Sequence, residues 1–139
     1  MYVFDLGGTL SIVGERKKYL EQNPKDWDSF FNECDQDKVN EPIVKIYTEL
    51  DYNYKIYIVT GRPERLRKKT MKWFFMNEIP YPDELIMRSD DDHRPDIIVK
   101  PELVKSFMND IDCIFEDRQP FVDKWRELGL CCVQVNDGK

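Results

Sequence analysis

Residues 2–9, YVFDLGGT, decide the fold, because an apolar run leads there directly into a carboxylate. Apart from Asp5, residues 2–6 are aliphatic or aromatic, which predicts a buried strand. Two glycines and a threonine follow at once and indicate a sharp turn. The backbone N–H groups of such a turn can hold an anion beside the carboxylate. The stretch therefore predicts an anion site built around Asp5.

Strands and helices alternate along the rest of the chain. Core strands are predicted at 2–6, 55–61, 83–88, 111–117 and 130–135. Helices are predicted at 26–33, 41–50, 63–78, 101–110 and 120–129. In the third helix, the spacing of Trp73, Phe74 and Phe75 predicts that these rings pack in the core. Alternation of this kind is typical of an α/β fold with a parallel sheet sandwiched by helices. We expect a single domain over residues 1–139.

Composition excludes several classes of protein. Hydrophobic residues make up 41% and charged residues 35% of the chain, which is typical of a globular protein. No apolar run approaches the ~20 residues of a membrane span, and the N-terminus lacks the features of a signal peptide. Four cysteines without CxxC spacing and a single histidine predict reduced thiols in a cytoplasmic protein rather than a zinc site. The net charge of −6 disfavours a broad nucleic-acid surface but allows a small cationic pocket.

Polar residues follow several of the predicted strands. In a parallel sheet, ligands bind beyond the carboxyl ends of the strands, near the point where the strand order reverses. The first strand delivers Asp5, the second delivers residues 60–62, and the fourth delivers residues 116–117. We expect Lys100 just before a helix that begins at residue 101. These side chains should therefore meet at one edge of the sheet.

The side chains expected at this edge have complementary chemistry toward a phosphate ester. Asp5 can attack an electrophilic phosphorus atom, and Thr60 offers a hydroxyl to a phosphoryl oxygen. Lys100 can neutralise phosphoryl charge and restrain Asp5. Asp117, with Glu116 beside it, would complete an oxygen-rich Mg2+ site with Asp5. The cation would also remove the repulsion between the carboxylates.

Each of these residues has a structural alternative when it is considered alone. Asp5 can cap a helix, and Thr60-Gly61 can be a plain strand-to-helix turn. Lys100 can lie on the surface, and Glu116-Asp117 can be a loop end or an N-cap pair. Their order and co-occurrence in one chain favour the site over these alternatives.

Four segments, in order, resemble the motifs of the haloacid dehalogenase superfamily of phosphohydrolases. They are FDLGGTL (4–10), VTGR (59–62), IIVK (97–100) and FEDR (115–118). Longer segments are similar to the phosphatase domain of phage polynucleotide kinase and its stand-alone relatives. These segments are CDQDKVNEP (34–42), residues 87–100 and residues 115–135. The resemblance covers nearly the whole chain.

This resemblance implies a Rossmann-like fold, with room only for a minimal cap at about residues 10–40. It implies Asp5 as the nucleophile, Thr60 and Lys100 as phosphate ligands, and Mg2+ as the cofactor. Asp117 would bind the metal, with Glu116 supporting it.

The resemblance also implies a substrate class, which is polynucleotide 3'-phosphate ends or nucleotides. The substrate-binding residues expected from it are Gly8, Thr9, Gly61, Arg62 and Arg88. For the two arginines, surface salt bridges are the alternative. A kinase or a ligase on another chain is the implied partner, and the cytoplasm, of a host cell if the chain is phage-encoded, is the implied location.

Position 7 departs from the family pattern. The superfamily has Asp-x-Asp, whose second Asp protonates the leaving oxygen and then activates water. Gly7 lacks this carboxylate, but its backbone carbonyl can still supply the metal contact of that position. The loss of a general acid–base group costs typically ~100- to 10,000-fold in rate. The missing side chain is either a natural loss or an introduced substitution.

Three functions are consistent with these features. The first is a Mg2+-dependent phosphomonoesterase slowed at position 7, and the second is a catalytically silent relative that binds a phosphorylated ligand or partner. The third is an acidic scaffold that retains only the fold, which the combination of Asp5, Thr60, Lys100 and Asp117 disfavours. The chain contains no GxxxxGK[ST] loop, so we expect no kinase activity from it.

Overall fold

A computed structural model describes residues 1–137 of the protein. Its strands are β1 (Tyr2–Phe4), β2 (Ser11–Ile12), β3 (Lys38–Val39), β4 (Ile56–Pro63), β5 (Glu84–Arg88), β6 (Cys113–Glu116) and β7 (Cys132–Gln134). Five of them form a parallel sheet in the order β5–β4–β1–β6–β7. β1 thus lies in the middle, between β4 and β6, and the strand order reverses there.

Helices cover both faces of this sheet. They are α1 (Trp27–Asn32), α2 (Glu41–Asp51), α3 (Arg67–Met76), α4 (Asp96–Val104) and α5 (Gln119–Glu127). Short 3-10 segments lie at Glu15–Leu20, Cys34–Gln36, Glu64–Leu66 and Lys105–Asp110. Among residues 1–137, no helix has the length and apolar character that crossing a membrane requires.

The core has one apolar cluster on each face of the sheet, because successive residues of a strand point to opposite sides. Phe4 belongs to the cluster that Trp73 and Phe74 of α3 complete. Its neighbour Val3 belongs to the cluster that contains Val122 and Trp125 of α5. The predicted α/β fold with a parallel sheet between helices is confirmed.

Two expectations about helices were wrong. The helix predicted at 101–110 begins at Asp96 and ends at Val104, so Lys100 lies inside α4 and does not precede it. Pro101 suggested a helix start, since proline is favoured in the first turn, but it occupies an interior position of α4. Phe75 of α3 is 70% exposed, because Trp73 and Phe74 already fill the side of the helix that faces the sheet.

The segment from β2 to β3, residues 11–39, forms a small subdomain beside the turn that follows β1. Its two short strands, β2 and β3, pair antiparallel, and α1 lies between them along the chain. Sequence patterns did not predict this two-stranded pairing, since each strand has only two residues. The subdomain has the small size expected of the residues 10–40 segment.

Candidate active site

The ends of β1, β4 and β6 bring the predicted residues together. Asp5 follows β1 directly, and its N–H donates to the carbonyl of Phe115 at 2.9 Å, which extends the β1–β6 ladder by one bond. Thr60 lies in β4, at an irregularity in the pairing with β5. Glu116 is the last residue of β6. Asp5, Thr60 and Glu116 are all buried.

Lys100 ties this edge of the sheet to α4. Its Nζ donates to Asp5 Oδ1 at 2.8 Å and to Glu116 Oε2 at 2.9 Å. Nζ also lies 4.7 Å from the ring centroid of Phe121. The lysine side chain is 5% exposed, so the ion cluster has little contact with water. A helical side chain therefore supplies the cation that we expected from a loop.

Three carboxylates of the site can converge on one metal ion. Oxygen atoms of Asp5, Glu116 and Asp117 all lie within 4.8 Å of one another. Burial, together with the charge of Asp5, raises the pKa of Glu116 to about 8 and that of Asp117 to about 6. Burial acts in the same direction on Asp5, but Lys100 outweighs it and holds the pKa of Asp5 below its usual range. The cluster thus has more acidic groups than Lys100 alone can neutralise, and its all-oxygen donor set fits Mg2+.

Glu116 and Asp117 are placed differently within this cluster. Glu116 Oε2 accepts hydrogen bonds from Lys100 and from Trp125 Nε1, and Oε1 accepts one from the Asp117 N–H. Asp117 Oδ1 lies 3.4 Å from the hydroxyl of Thr9, which also lies 3.1 Å from Asp5 Oδ2. Both Glu116 oxygens are therefore occupied by the protein, which suits a supporting role, whereas Asp117 suits direct contact with a metal.

The two glycines of the turn after β1 have different requirements. Gly8 has φ of 90°, and a Cβ there would lie 2.2 Å from Asp117 Oδ2, so only glycine fits. Gly7 lies outside the left-handed region, and a Cβ there would meet Val13 Cγ2 at 3.5 Å and Arg16 Nη2 at 3.8 Å. Those are ordinary van der Waals contacts. Neither the turn nor its neighbours require glycine at position 7.

An arginine that we did not predict lies beside Gly7. Arg16 is 5% exposed and makes a bidentate pair with Asp37, with both N–O distances at 2.7 Å. Arg62 shares this partner, with Nη2 3.7 Å from Asp37 Oδ2, and its Nη1 donates to Thr70 Oγ1. Burial lowers the pKa of Arg62, although Asp37 and Asp5 act against this shift. The site thus contains two buried guanidinium groups that share one aspartate.

Arg88 and Gly61 organise the loop behind the site. Arg88 donates to the carbonyls of Gly61, Asp92 and Arg94, and it contacts the carboxylate of Asp96. A Cβ on Gly61 would lie 2.5 Å from Asp96 Oδ1, so the close approach of that carboxylate requires glycine. These contacts engage Arg88 with its own chain, and its role in substrate binding stays a prediction.

This arrangement defines a class of protein. A parallel sheet that brings a strand-end aspartate, a threonine, a lysine and an acidic pair to one edge is the architecture of haloacid dehalogenase-type phosphatases. The profile of the polynucleotide kinase PNKP phosphatase domain matches residues 1–139. The chain belongs to this family, as its motifs indicated.

Solved structures agree with the assignment. A chain in a structure of the Pnkp1/Rnl/Hen1 complex is 32% identical and superposes with a TM-score of 0.83. A chain in a second structure, of the Pnkp1/Rnl/Hen1 RNA repair complex, is 32% identical and superposes with a TM-score of 0.84. The match covers 99% of this chain but only 46% and 42% of those two, so the chain spans less than half their length.

A more distant structure shares the fold. It is a HAD family enzyme from Bacteroides thetaiotaomicron in complex with magnesium and inorganic phosphate. It is 13% identical, with a TM-score of 0.60, and the match covers 99% of this chain and 94% of that one.

Proposed function

We propose that this chain is a Mg2+-dependent phosphomonoesterase that acts on polynucleotide 3'-phosphate ends or on nucleotides, slowed by the absence of a carboxylate at position 7. The observation that carries the proposal is the buried cluster in which Lys100 bridges Asp5 and Glu116. An ionised carboxylate, a fixed cation and an oxygen-rich metal site at one sheet edge are what phosphoryl transfer to an aspartate requires.

The reaction follows from these positions. An oxygen of Asp5 attacks phosphorus, the bond from phosphorus to the ester oxygen breaks, and the leaving oxygen takes a proton. Water then attacks the aspartyl phosphate, which releases inorganic phosphate and a proton and restores Asp5. Thr60 and Lys100 bind phosphoryl oxygens, while Mg2+, when bound, would neutralise phosphoryl charge. At position 7 no side chain can donate or accept the protons, so both steps lack the acid–base group of the family pattern.

The substrate class is supported by the structural relatives. Both matched chains come from Pnkp1/Rnl/Hen1 complexes, and one of these is described as an RNA repair complex, which favours a polynucleotide end as the substrate here. The subdomain of residues 11–39 is short, and a site without a large cap suits a polymer end. On the same grounds we propose a kinase or a ligase as a partner.

The direct test measures phosphate release from a 3'-phosphorylated oligonucleotide in the presence of Mg2+. We expect slow release that Asp5→Asn abolishes. If the protein binds the oligonucleotide and releases no phosphate, it is instead a catalytically silent relative that binds phosphorylated ligands. The missing carboxylate at position 7 is the observation that favours this alternative. If it neither binds nor hydrolyses any phosphomonoester, both functions are excluded.

The different settings of the two acids predict unequal effects on metal binding. We expect Asp117→Asn to weaken Mg2+ binding about 100-fold, and Glu116→Gln about 10-fold, because Glu116 acts on the metal through other groups. Calorimetric titration of both variants with Mg2+ measures this. Equal losses of affinity would contradict the assignment of Asp117 as the direct ligand.

A further inference from the structure

We propose that Trp27 is a stacking platform for a nucleobase near the phosphorylated end of the substrate, an inference that rests on the proposed function. Trp27 is the first residue of α1 and is 47% exposed. The other two tryptophans, Trp73 and Trp125, are 2% and 1% exposed. A large aromatic ring that remains half in water suits a ligand with a flat apolar face.

The indole of Trp27 is held in place by neighbouring rings. Its centroid lies 5.7 Å from that of Phe31, with ring planes 26° apart, and 5.9 Å from that of Phe30, with ring planes 86° apart. Asp26 caps α1 by accepting a hydrogen bond from the Ser29 N–H. The ring is therefore pre-ordered, which lowers the entropy lost when a base stacks on it.

A chain of direct contacts connects this ring to the turn after β1. Phe30 touches Trp27 at one side, and the guanidinium of Arg16 lies 4.2 Å from the Phe30 ring centroid. Arg16 in turn lies beside Gly7, with Nη2 3.8 Å from the position of a Cβ there. Three contacts thus connect Trp27 to the turn that follows Asp5, and the proposed base is one or two nucleotides from the terminal phosphate.

Three cationic side chains lie near α1, although Asp26 and Asp28 flank Trp27 in the sequence and Glu33 follows the helix. The ammonium of Lys25 lies 5.8 Å from the Trp27 centroid. Lys69 donates to the carbonyl of Asn32, and Arg65 lies 3.7 Å from the exposed Asp28. Basic side chains around an aromatic ring are the combination by which proteins bind single-stranded nucleic acid. The phosphodiester backbone would compete with Asp28 for Arg65.

The experiment compares the binding of two probes. One is a 3'-phosphorylated single-stranded tetranucleotide, tested both as RNA and as DNA, and the other is inorganic phosphate. We expect Trp27→Ala to weaken tetranucleotide binding about 5- to 150-fold, the range of stacking contributions, and to leave the affinity for inorganic phosphate unchanged. Trp27→Phe should retain part of the affinity. Phe75→Ala, which removes another exposed ring, is the matched control and should change neither affinity.

Fluorescence gives a second readout. Because Trp73 and Trp125 are buried, the solvent-exposed part of the emission comes from Trp27, and the tetranucleotide should quench it. The proposal is overturned if Trp27→Ala binds the tetranucleotide as the unmodified protein does. It is also overturned if the variant loses both probes by the same factor, which would mean that Trp27 only supports Arg16 through Phe30. Emission that changes with protein concentration alone would show that the ring binds a second copy and would likewise overturn it.

The results also separate this inference from the proposed function. If phosphate release from the tetranucleotide has the same KM in Trp27→Ala, the platform is wrong and the phosphatase function stands. If no phosphomonoester is hydrolysed but Trp27→Ala weakens tetranucleotide binding, the platform stands and the hydrolytic function fails.

Discussion

Replacing Gly7 by aspartate is expected to raise the rate of phosphomonoester hydrolysis about 100- to 10,000-fold. The new carboxylate would donate a proton to the leaving oxygen and then accept one from the attacking water. The backbone at position 7 lies outside the left-handed region, and a Cβ fits there without a close contact. The guanidinium of Arg16 is near enough to hold the carboxylate in place. Steady-state phosphate release with Mg2+ measures the gain.

Two controls isolate the chemistry of the new group. Gly7→Ala introduces the Cβ alone and should leave the rate unchanged. Gly7→Asn adds a side chain with the shape of aspartate that cannot transfer the proton. Adding Asp5→Asn to Gly7→Asp should abolish the gain, since no aspartyl phosphate can then form. A folded Gly7→Asp protein that binds Mg2+ and hydrolyses no phosphomonoester faster would reject the repair, and the binding-only function would then be the better one.

Replacing Lys100 by methionine is expected to lower the free energy of unfolding by about 3 to 5 kcal/mol at neutral pH, because Asp5 and Glu116 lose their shared cation. Binding of inorganic phosphate should be lost as well. Lys100 holds the pKa of Asp5 below its usual range, so this pKa should rise in the variant, and the stability loss should be smaller at pH 5 than at pH 7.5. Urea denaturation followed by tryptophan fluorescence, at pH 5 and pH 7.5, measures both effects.

Lys124→Met is the matched control, since Lys124 also lies on a helix and pairs with Glu127 at 3.7 Å with both side chains exposed. That change should cost less than about 1 kcal/mol. Similar costs for the two variants would show that Lys100 contributes no more than a surface lysine. Adding Asp5→Asn to Lys100→Met should restore part of the stability, because Asp5 is the carboxylate whose ionised form Lys100 stabilises.

Much of the fold was predictable because its strands are short and apolar and end in distinctive polar residues. Period and composition identify the five strands of the sheet, and parallel pairing brings their carboxyl ends to one edge. Asp5, Thr60 and Glu116 were therefore predictable as neighbours from topology alone. Gly8 was predictable as part of the turn, although no sequence pattern indicates that a side chain there would collide with Asp117.

The remaining features depend on tertiary contacts that leave little local signal. Arg16 lies in a polar stretch, and its partner Asp37 is 21 residues away, so no spacing joins them. Pro101 concealed the start of α4 because proline more often marks a first turn. Phe75 follows two buried aromatic residues, and which ring faces outward is decided by how α3 sits on the sheet.

The central position of β1 also affects how the protein folds. β1 is the first strand of the chain, but its neighbours β4 and β6 come much later, and Asp5 and Lys100 are 95 residues apart in sequence. Such non-local pairing requires long loops to close before the strands make stabilising contacts. The entropy lost on loop closure slows folding. No short fragment contains the whole site, so an incomplete chain has no pocket for phosphate. Ligand binding therefore reports the completed fold, and its free energy stabilises the chain as a whole.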